Sequence, residues 1–298
     1  MNRIATIFVS LFLLYSCDTD DAVLEEKIIT NLTSGTNEIV IDQIIDGAVV
    51  SRTVYLKTPQ NFDASQTYPL VFVFHGSGGT GSQFLNQSTL NELIDFGSFI
   101  GVYPNGHSND GSNGGYWNLG LEATTADDVE FVNLIIQKLE SYTQLSTTER
   151  YAIGFSNGAG MVNLLGKSTT HFNAIAPLFS QQSISTANLT PSSVLSVFQV
   201  NGAIDNLIPL QGGASPVGEF MSAQNSALNW TNAFECNETA IQENHNWGGV
   251  VLESFSYGNC DSNAEVMYFI AANVGHGWAN QQADSMAFEE IWSFFETK

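Results

Sequence analysis

The sequence predicts an α/β fold, in which a mostly parallel central sheet has helices on both faces and an N-terminal β-hairpin. Short apolar runs such as "YPLVFVFHG" end in glycine, as strands buried on both faces of a parallel sheet do. Segments with helical spacing of apolar residues alternate with these runs, which is typical of α/β proteins. At 298 residues the chain is long enough to bury a full-sized core.

The elements of the first half can be assigned in chain order. The two β-rich runs of "EIVIDQIIDGAVVSRTVYLKTP" flank Asp46-Gly47 and predict the hairpin. A helix is expected over residues 82–96, and the strand "FIGVYPNG" follows it. In "TADDVEFVNLIIQKLESY", apolar residues at helical spacing lie behind Asp127 and Asp128, which suit a helix N-terminus rather than a catalytic role.

The second half continues the alternation. Residues 151–154 predict a strand, and residues 159–165 predict the helix that follows it. The runs "FNAIAPLF", "VLSVFQVNG" and "EVMYFIAAN" predict three more strands, and residues 283–296 predict a closing amphipathic helix. The sequence shows no internal repeat and no linker to a second domain, so one domain is expected over residues 37–298.

The N-terminal sequence predicts a location outside the cytoplasm. The apolar run "IATIFVSLFLLYSC" has the length of a signal peptide and is too short for a membrane span. Its end resembles a bacterial lipoprotein cleavage box with Cys17 as the lipid-bearing residue. We expect residues 1–17 to form the signal peptide up to the lipidated cysteine and residues 18–36 to form an acidic tether. The protein is then an outer-membrane or cell-surface lipoprotein, or a secreted protein, and it contacts a membrane only through this anchor.

Two further cysteines fall within the predicted domain. In an oxidising compartment Cys236 and Cys260 are expected to form a disulfide. Two buried free thiols are the alternative, which is less favoured outside the cytoplasm. Neither cysteine belongs to a metal-ligand spacing, and no metal is predicted.

Acidic residues dominate the charge balance, with 30 Asp and Glu against 8 Lys and Arg and a net charge of −22. Such a surface repels phosphate backbones and anionic lipid headgroups, so nucleic acid is not an expected partner. Uncharged substrates are favoured. The same composition also serves simply to keep a secreted protein soluble.

The segment "YAIGFSNGAGMVNLL" places Ser156 between Gly154 and Gly158, where a predicted strand meets a predicted helix. This G-x-S-x-G pattern fits a nucleophile elbow, a sharp turn that exposes the serine hydroxyl. Glycine suits the flanking positions because side chains there would collide with neighbouring backbone. Matches of five residues also arise by chance, so the strand before the serine and the helix after it carry part of the argument.

A serine becomes a strong nucleophile when a base accepts its proton and an acid orients the base. Asp205 follows the strand of "VFQVNGAIDNLIP", and His276 follows the strand of "YFIAANVGHGW". The chain order Ser156, Asp205, His276 is that of the α/β-hydrolase fold, whose reactive groups gather at the carboxyl ends of strands. The sequence therefore predicts a Ser-His-Asp triad that requires no metal and no organic cofactor.

An oxyanion hole needs two backbone N–H donors. One is expected from Asn157, which follows the nucleophile. The other is expected from the loop "HGSGG", with Ser77 as the first choice and Gly78 as the second. His75 in this loop is expected to be structural. A phosphate-binding role is the alternative for the loop, but it lacks the lysine of a P-loop.

Other residues compete for these roles. His107, His171 and His245 lack a strand-end setting and are expected to be surface or packing residues. Asp261 lies between the serine and the histidine in sequence, but a turn is the favoured setting for it.

Aromatic residues near the predicted site are candidates for substrate binding. Tyr116 and Trp117 lie in the glycine-rich segment "NGGYWNLG", and Trp278 follows the predicted base. Ordinary packing is the alternative for each tryptophan, since tryptophan is usually well buried.

The assembled motifs resemble those of secreted polyhydroxybutyrate depolymerase-like and feruloyl-esterase-like proteins of carbohydrate esterase family one. The similarity runs from about residue 49 to the C-terminus. It rests on "HGSGG", "YPNG", "YWN", "DDVEF", "GFSNGAGM", "NGAIDNLIP", the cysteine pair and "GHGW". The resemblance implies the α/β-hydrolase fold, triad roles for the three residues above, and a disulfide before the histidine loop.

The chain departs from the family pattern at two places. The family usually has His-Gly ahead of its acid, whereas this chain has Asn201-Gly202. A Trp-Pro-Gly commonly follows near the histidine, whereas here Trp278 leads into Ala279-Asn280. Both departures are expected to lie near the pocket, so the resemblance does not determine the identity of the substrate.

The sequence thus predicts an extracytoplasmic serine esterase, expected as a monomer, that acts on a small-molecule or polymer ester through an acyl-enzyme. Feruloyl or acetyl esters on polysaccharide are the first expectation for the substrate. A short polyhydroxyalkanoate, a 3-hydroxybutyrate ester, is the second, and peptides are a weaker one. A non-catalytic glycan-binding lipoprotein is the alternative from another class.

Overall fold

The computed structural model describes residues 31–298. The predicted signal peptide, Cys17 and most of the predicted tether lie outside the described residues. The boundary predicted at residues 36 and 37 falls just inside the first strand, which spans Gly35–Ile45.

A ten-stranded sheet forms the centre of the molecule, and a separate two-stranded hairpin lies beside it. The strands are β1 Gly35–Ile45, β2 Ala48–Thr58, β3 Tyr68–Phe74, β4 Ile100–Pro104, β5 Leu145–Phe155, β6 Ala174–Leu178, β7 Ser196–Gly202, β8 Gly213–Ser215, β9 Gly218–Phe220, β10 Ile241–Trp247, β11 Val250–Tyr257 and β12 Val266–Ala271. The order across the large sheet is β1-β2-β4-β3-β5-β6-β7-β12-β11-β10, while β8 and β9 form the hairpin. The strands from β4 to β12 in this order are parallel, and an antiparallel hairpin extends the sheet at each end.

Helices cover both faces of this sheet, as the sequence predicts. They are α1 Ser88–Asp95, α2 Asp128–Leu139, α3 Asn157–Ser168, α4 Ile184–Ala187, α5 Ala223–Ala233 and α6 Gln281–Phe295. One buried core contains residues of α2, α3 and α5, and the other contains residues of α1 and α6. Strand β3 shows the reason for its unbroken apolar run: Leu70, Phe72 and Phe74 belong to the first core, and Val71 and Val73 to the second.

The N-terminal hairpin is confirmed, with its turn at Asp46-Gly47. Both residues have positive φ angles, 51° and 80°, as a two-residue hairpin turn that matches the strand twist requires. A second hairpin, β10–β11, was not predicted, although its turn at Gly248-Gly249 also has positive φ at both positions. The Gly-Gly pair between two β-rich runs is the sequence signal that indicates it.

The helix predicted over residues 82–96 is two elements. A short 3₁₀ turn covers Gly81–Phe84, and α1 begins only at Ser88, where the side chain of Gln87 accepts a hydrogen bond from the Leu90 amide. Among the helices of residues 31–298, none combines the length and the apolar character needed to cross a membrane.

The predicted disulfide between Cys236 and Cys260 is present. It joins the segment just after α5 to the segment before β12. It closes a sequence separation of 24 residues and therefore ties the C-terminal part of the sheet to the helix that covers it.

Candidate active site

Ser156 lies on a sharp turn between β5 and α3. Its φ and ψ angles of 56° and −115° are uncommon for a residue with a side chain, and such strain costs roughly 1–3 kcal/mol. Gly158 packs against the carbonyl groups of Phe74 and His75, and Gly154 packs against Gly158. A Cβ at either glycine would overlap the backbone, which is the reason predicted for this pair.

His276 links the serine to a carboxylate. Its Nε2 lies 2.7 Å from Ser156 Oγ, and its Nδ1 lies 2.7 Å from Asp205 Oδ2. An ionised carboxylate only accepts, so Nδ1 carries the proton toward Asp205 and Nε2 is left to accept from the serine hydroxyl. The structure therefore brings the three predicted residues together in the arrangement that a serine nucleophile needs.

The loop after β7 holds the carboxylate of Asp205 in place. Oδ1 of Asp205 accepts hydrogen bonds from the Leu207 and Ile208 amides at 2.8 and 3.0 Å, which directs Oδ2 toward the imidazole. Gly202 lies so close to the Gly275 carbonyl that a side chain at position 202 would push apart the loops that carry Asp205 and His276. The side chain of Asp205 is 2% exposed, whereas that of His276 is 21% exposed.

The two first-choice oxyanion donors, Asn157 and Ser77, both line the cavity at Ser156. Asn157 is the first residue of α3, where amides have no partner within the helix. Ser77 lines the same cavity as Ser156 and His276. The second choice, Gly78, is corrected: its N–H donates to the Gly115 carbonyl at 2.9 Å and is already used.

His75 fixes the loop that carries Ser77. Its Nε2 accepts from the Gly106 amide at 2.9 Å, so its proton lies on Nδ1, which donates to the Gly76 carbonyl at 2.8 Å. Burial lowers the pKa of His75 to about 4 and outweighs the effect of the Gly76 carbonyl, which raises the pKa. The side chain is thus a neutral structural element of the loop.

The side-chain amide of Asn157 is also engaged. Its Oδ1 accepts from the Trp117 amide at 2.7 Å, and its Nδ2 donates to the Trp117 carbonyl and to Glu122 Oε1, both at 3.0 Å. These bonds attach the segment around Trp117 to the start of α3. The loop that forms part of the cavity wall is therefore fixed to the nucleophile elbow by three hydrogen bonds.

Of the three aromatic candidates for substrate binding, Tyr116 lines the cavity. Trp117 is fully buried, and its indole N–H donates to the His75 carbonyl at 2.8 Å, so the substrate-binding prediction is corrected to a structural role. Trp278 is corrected likewise, since it packs against Phe179 and Trp247 and is absent from the cavity wall.

The cavity at Ser156 has a volume of about 560 Å³ and a largely apolar wall that the sequence did not reveal. Several of its residues come from the loops after β4 and β7 and from the β8–β9 hairpin: Leu119, Leu121, Leu207, Ile208, Val217 and Phe220. These residues lie mostly in irregular segments, where apolar periodicity gives no signal. A cavity of this size suits a small organic group such as an acyl chain or an aromatic ring.

The two departures from the family pattern do not face the cavity. Asn201 is buried in β7, where its side chain bonds to Gln181 and Gln199, each at 2.8 Å. Asn280 is the N-cap of α6 and accepts from the Ala283 amide. Both positions therefore support the scaffold.

The other histidines bond to neutral partners away from the serine. His107 contacts Thr124, His171 contacts Asn133 and His245 contacts Ser254. Asp261 opens a short 3₁₀ turn and is exposed. Within residues 31–298, no three His, Cys, Asp or Glu side chains are grouped as metal ligands would be.

The two predicted helix-cap aspartates differ. Asp127 is the N-cap of α2, and its side chain accepts from the Glu130 amide at 2.9 Å. Asp128 is buried and forms an ion pair with Arg52 at 2.7 Å, while its other oxygen accepts from the Asn118 amide. Capping is thus the role of Asp127 alone, and Asp128 stabilises the loop beside Trp117.

The fold and the elbow define the chain as a protein of the α/β-hydrolase fold, as predicted. Its sequence is similar to feruloyl esterase C of Emericella nidulans, with 29% identity over 272 residues that cover 89% of this chain and 87% of that protein. It is also similar to feruloyl esterase B of Piromyces equi, with 28% identity over 195 residues. That match covers 62% of this chain and 36% of the relative, so the chain spans about a third of its length. The predicted resemblance to feruloyl esterases is confirmed.

Solved structures agree on the fold. An acetyl xylan esterase from Aspergillus awamori superimposes with a TM-score of 0.60 at 15% identity, over 87% of this chain and 99% of that one. A ferulic acid esterase superimposes with a TM-score of 0.54 at 13% identity, over 88% and 98% of the two chains. No protein-family model matches the chain.

Proposed function

We propose that this chain is an extracytoplasmic esterase that hydrolyses feruloyl or acetyl esters of polysaccharides, with Ser156, His276 and Asp205 as its catalytic residues. The observation that carries the proposal is the imidazole of His276, placed 2.7 Å from both the serine oxygen and the carboxylate. The predicted class, a serine carboxylic ester hydrolase, is confirmed by the esterase relatives, and the solved esterase structures share its fold.

The first half of the reaction forms an acyl-enzyme. His276 Nε2 accepts the hydroxyl proton as Ser156 Oγ attacks the ester carbonyl, and Asp205 stabilises the imidazolium that results. The carbonyl oxygen becomes negative and receives hydrogen bonds from the amides of Asn157 and Ser77. The intermediate collapses when the carbon–oxygen bond to the alcohol breaks, and His276 gives its proton to the departing alcohol oxygen.

The second half repeats these steps with water. His276 takes a proton from water, the hydroxide attacks the acyl carbonyl, and the serine leaves with the proton returned from Nε2. The same two amides stabilise the second oxyanion. Each group thereby returns to its starting protonation state, and no other reactant is needed.

Three observations support polysaccharide esters as substrates. The relatives are named feruloyl esterases, and a structural neighbour is named an acetyl xylan esterase. The cavity is large enough for an aromatic acyl group and has an apolar wall with Tyr116 on it. The strongly acidic composition, with a net charge of −22, favours uncharged ligands.

Two measurements test the proposal. A fluorophosphonate should label the protein, and Ser156→Ala should abolish the label; equal labelling of both proteins contradicts the assigned nucleophile. Feruloyl, acetyl and 3-hydroxybutyrate esters should then be hydrolysed side by side. Preference for the feruloyl or acetyl ester supports the proposed substrates, preference for the hydroxybutyrate ester indicates a polyester depolymerase, and glycan binding without hydrolysis indicates a binding protein.

The extracytoplasmic location and the lipid on Cys17 are part of the proposal. The disulfide between Cys236 and Cys260 supports an oxidising compartment. Mass spectrometry of the mature N-terminus tests the anchor: an acylated Cys17 supports it, and a mature chain with an unmodified Cys17, or without that residue, contradicts it.

A further inference from the structure

Glu122 is the single carboxylate on the wall of the cavity at Ser156, among the residues that the structure describes. No lysine or arginine of the described chain lines that cavity, so the charge has no cationic partner there. The rest of the wall is mostly apolar, with Leu119 and Leu121 next to Glu122 in the same loop. An anionic side chain in such a place affects every ligand that enters the cavity.

The backbone holds this carboxylate in a fixed position. Oε2 of Glu122 accepts from the amides of Leu119 and Leu121 at 2.7 and 3.1 Å, and Oε1 accepts from Asn157 Nδ2 at 3.0 Å. Three donors therefore bind a carboxylate that offers about four acceptor positions. One position remains for a donor that arrives with a ligand.

A second pocket, of about 410 Å³, adjoins the first across Glu122. Glu122 lines both, together with Leu119, Leu121, Val217 and Phe220. Beyond this boundary the second pocket has small polar side chains around an apolar residue: Ser183, Ser185, Asn188 and Ile184. Its other carboxylate, Glu219, is exposed, and no lysine or arginine of residues 31–298 lines the pocket.

We propose that Glu122 is a specificity-determining residue, which accepts a hydrogen bond from a substrate hydroxyl and rejects esters that carry an anionic group. The inference rests on the proposed esterase function and adds the class of ester. The substrate is an uncharged, hydroxylated ester whose reacting carbonyl lies at Ser156 and whose remainder passes Glu122 into the second pocket.

The physical reason is the difference between a hydroxyl and a carboxylate at this wall. A hydroxyl can donate to the free acceptor position of Glu122, and a hydrogen bond to a charged group is stronger than one between neutral groups. A carboxylate brings a like charge into a partly desolvated cavity that offers no cation, where repulsion is screened less than in water. We expect at least a tenfold difference in affinity between matched neutral and anionic esters.

The test measures binding in Ser156→Ala, so that it does not depend on turnover. Two pairs of compounds differ only by a methyl group on a free carboxylate: feruloylquinate and its methyl ester, with the charge on the alcohol side, and 4-nitrophenyl hydrogen succinate and its methyl ester, with the charge on the acyl side. The neutral member should bind at least tenfold more tightly in one pair or both. The pair that shows the difference identifies which side of the ester faces Glu122.

Glu122→Gln, added to Ser156→Ala, should reduce this ratio to about threefold or less. Glu122→Asp keeps the charge and should keep the ratio, which also covers the case in which the glutamine variant fails to fold. Glu219→Gln is the matched control, because it removes the same charge from the exposed side of the second pocket. Its effect should be small and should disappear at high salt, since exposed charges are screened.

The outcomes separate the inference from the function on which it rests. An unchanged ratio in Glu122→Gln, an equal effect of Glu219→Gln, or no binding of either member of both pairs overturns the role of Glu122. The affinity ratio can depend on Glu122 even if the protein with Ser156 intact hydrolyses none of the four compounds. That result supports the charge selection and contradicts the proposed esterase function.

Discussion

Two buried carboxylates support the same site in different ways. Asp205 lies 2.7 Å from the imidazole of His276, and Asp128 lies 2.7 Å from the guanidinium of Arg52. An imidazole gains and loses a proton near neutral pH, whereas a guanidinium stays charged. The imidazole of the first pair can therefore transfer a proton, whereas the second pair can only stabilise the fold.

The surroundings of the two pairs agree with this difference. The His276 side chain reaches the cavity, and Asp205 lies behind it. Arg52 is enclosed: its guanidinium carbon lies 3.5 Å from the centre of the Phe131 ring, and its Nη2 also donates to the Asn105 carbonyl. Burial lowers the pKa of Arg52 and raises that of Asp128, each against the effect of its partner. Burying this ion pair therefore costs free energy. Its role is to fix the position of the loop whose Asn118 amide donates to Asp128.

The largest effect should come from Asp205→Asn. An asparagine amide would donate to His276 Nδ1 and move the imidazole proton to Nε2, which then cannot accept from Ser156. We expect kcat to fall by about 10⁴ while the fold is kept, because Oδ1 can still accept from the two loop amides. Hydrolysis of a 4-nitrophenyl ester measures the loss, and circular dichroism checks the fold.

Asp261→Asn is the control for this change, since that aspartate is exposed in a turn. It should leave kcat within about twofold of the parent, because it alters only a solvated surface charge. A similar loss of activity in both variants would contradict the assignment of Asp205.

The next largest effect should come from Asp128→Asn, and it should be a loss of stability. Removing the carboxylate leaves Arg52 buried without its counter-charge, which costs about 3–5 kcal/mol. Urea unfolding at pH 7 measures the change. Any remaining folded protein should keep kcat within about tenfold, because Asp128 touches no reacting atom.

A double variant sharpens the contrast between the two pairs. Arg52→Met with Asp128→Leu removes both charges together and should recover most of the stability lost in Asp128→Asn. If the double variant is as unstable as the single one, the unpaired charge of Arg52 is not the cause of the loss.

The lowered pKa of His75, a residue near Arg52, should make the stability of the protein depend on pH. The native pKa of His75 is lowered to about 4, chiefly by burial. The unfolded chain binds a proton near pH 6.5, so stability is lost as the pH falls from 6.5 toward 4. The linkage is worth about 3 kcal/mol over this interval.

His75→Gln should make this dependence shallower, because the glutamine amide has both a donor group and an acceptor oxygen and does not titrate. Urea unfolding between pH 7 and pH 4 compares the variant with the parent. The variant should be less stable at pH 7, since glutamine cannot reproduce the ring contact with Trp117. An unchanged slope would show that His75 is not the group responsible.

The parts of the structure that depend on local sequence signals could be predicted from the sequence. Ser156, Asp205 and His276 each follow a strand, and a parallel sheet brings the carboxyl ends of its strands to one edge, so local motifs sufficed to predict where they meet. The alternating elements and the turn at Asp46-Gly47 also depend on local signals. The alternating elements and the N-terminal hairpin are confirmed.

The remainder depends on contacts between distant segments. Arg52 and Asp128 lie 76 positions apart, and nothing near either residue indicates the other. Trp117 was predicted to bind substrate because it lies in a loop, yet its indole N–H bonds to His75, 42 residues away. The apolar wall of the cavity comes from irregular loops, which have no period to detect.

The smallest effect should separate Asp127 from its neighbour Asp128. Asp127 only caps α2, so Asp127→Ala should cost about 1 kcal/mol, far less than Asp128→Asn. Asp127→Ser keeps an oxygen that can accept from the Glu130 amide and should recover most of this loss. Urea unfolding of the three variants under one condition gives the comparison. Equal losses at positions 127 and 128 would mean that the ion pair with Arg52 contributes no more than an exposed helix cap, and the structural role assigned to Asp128 would then be wrong.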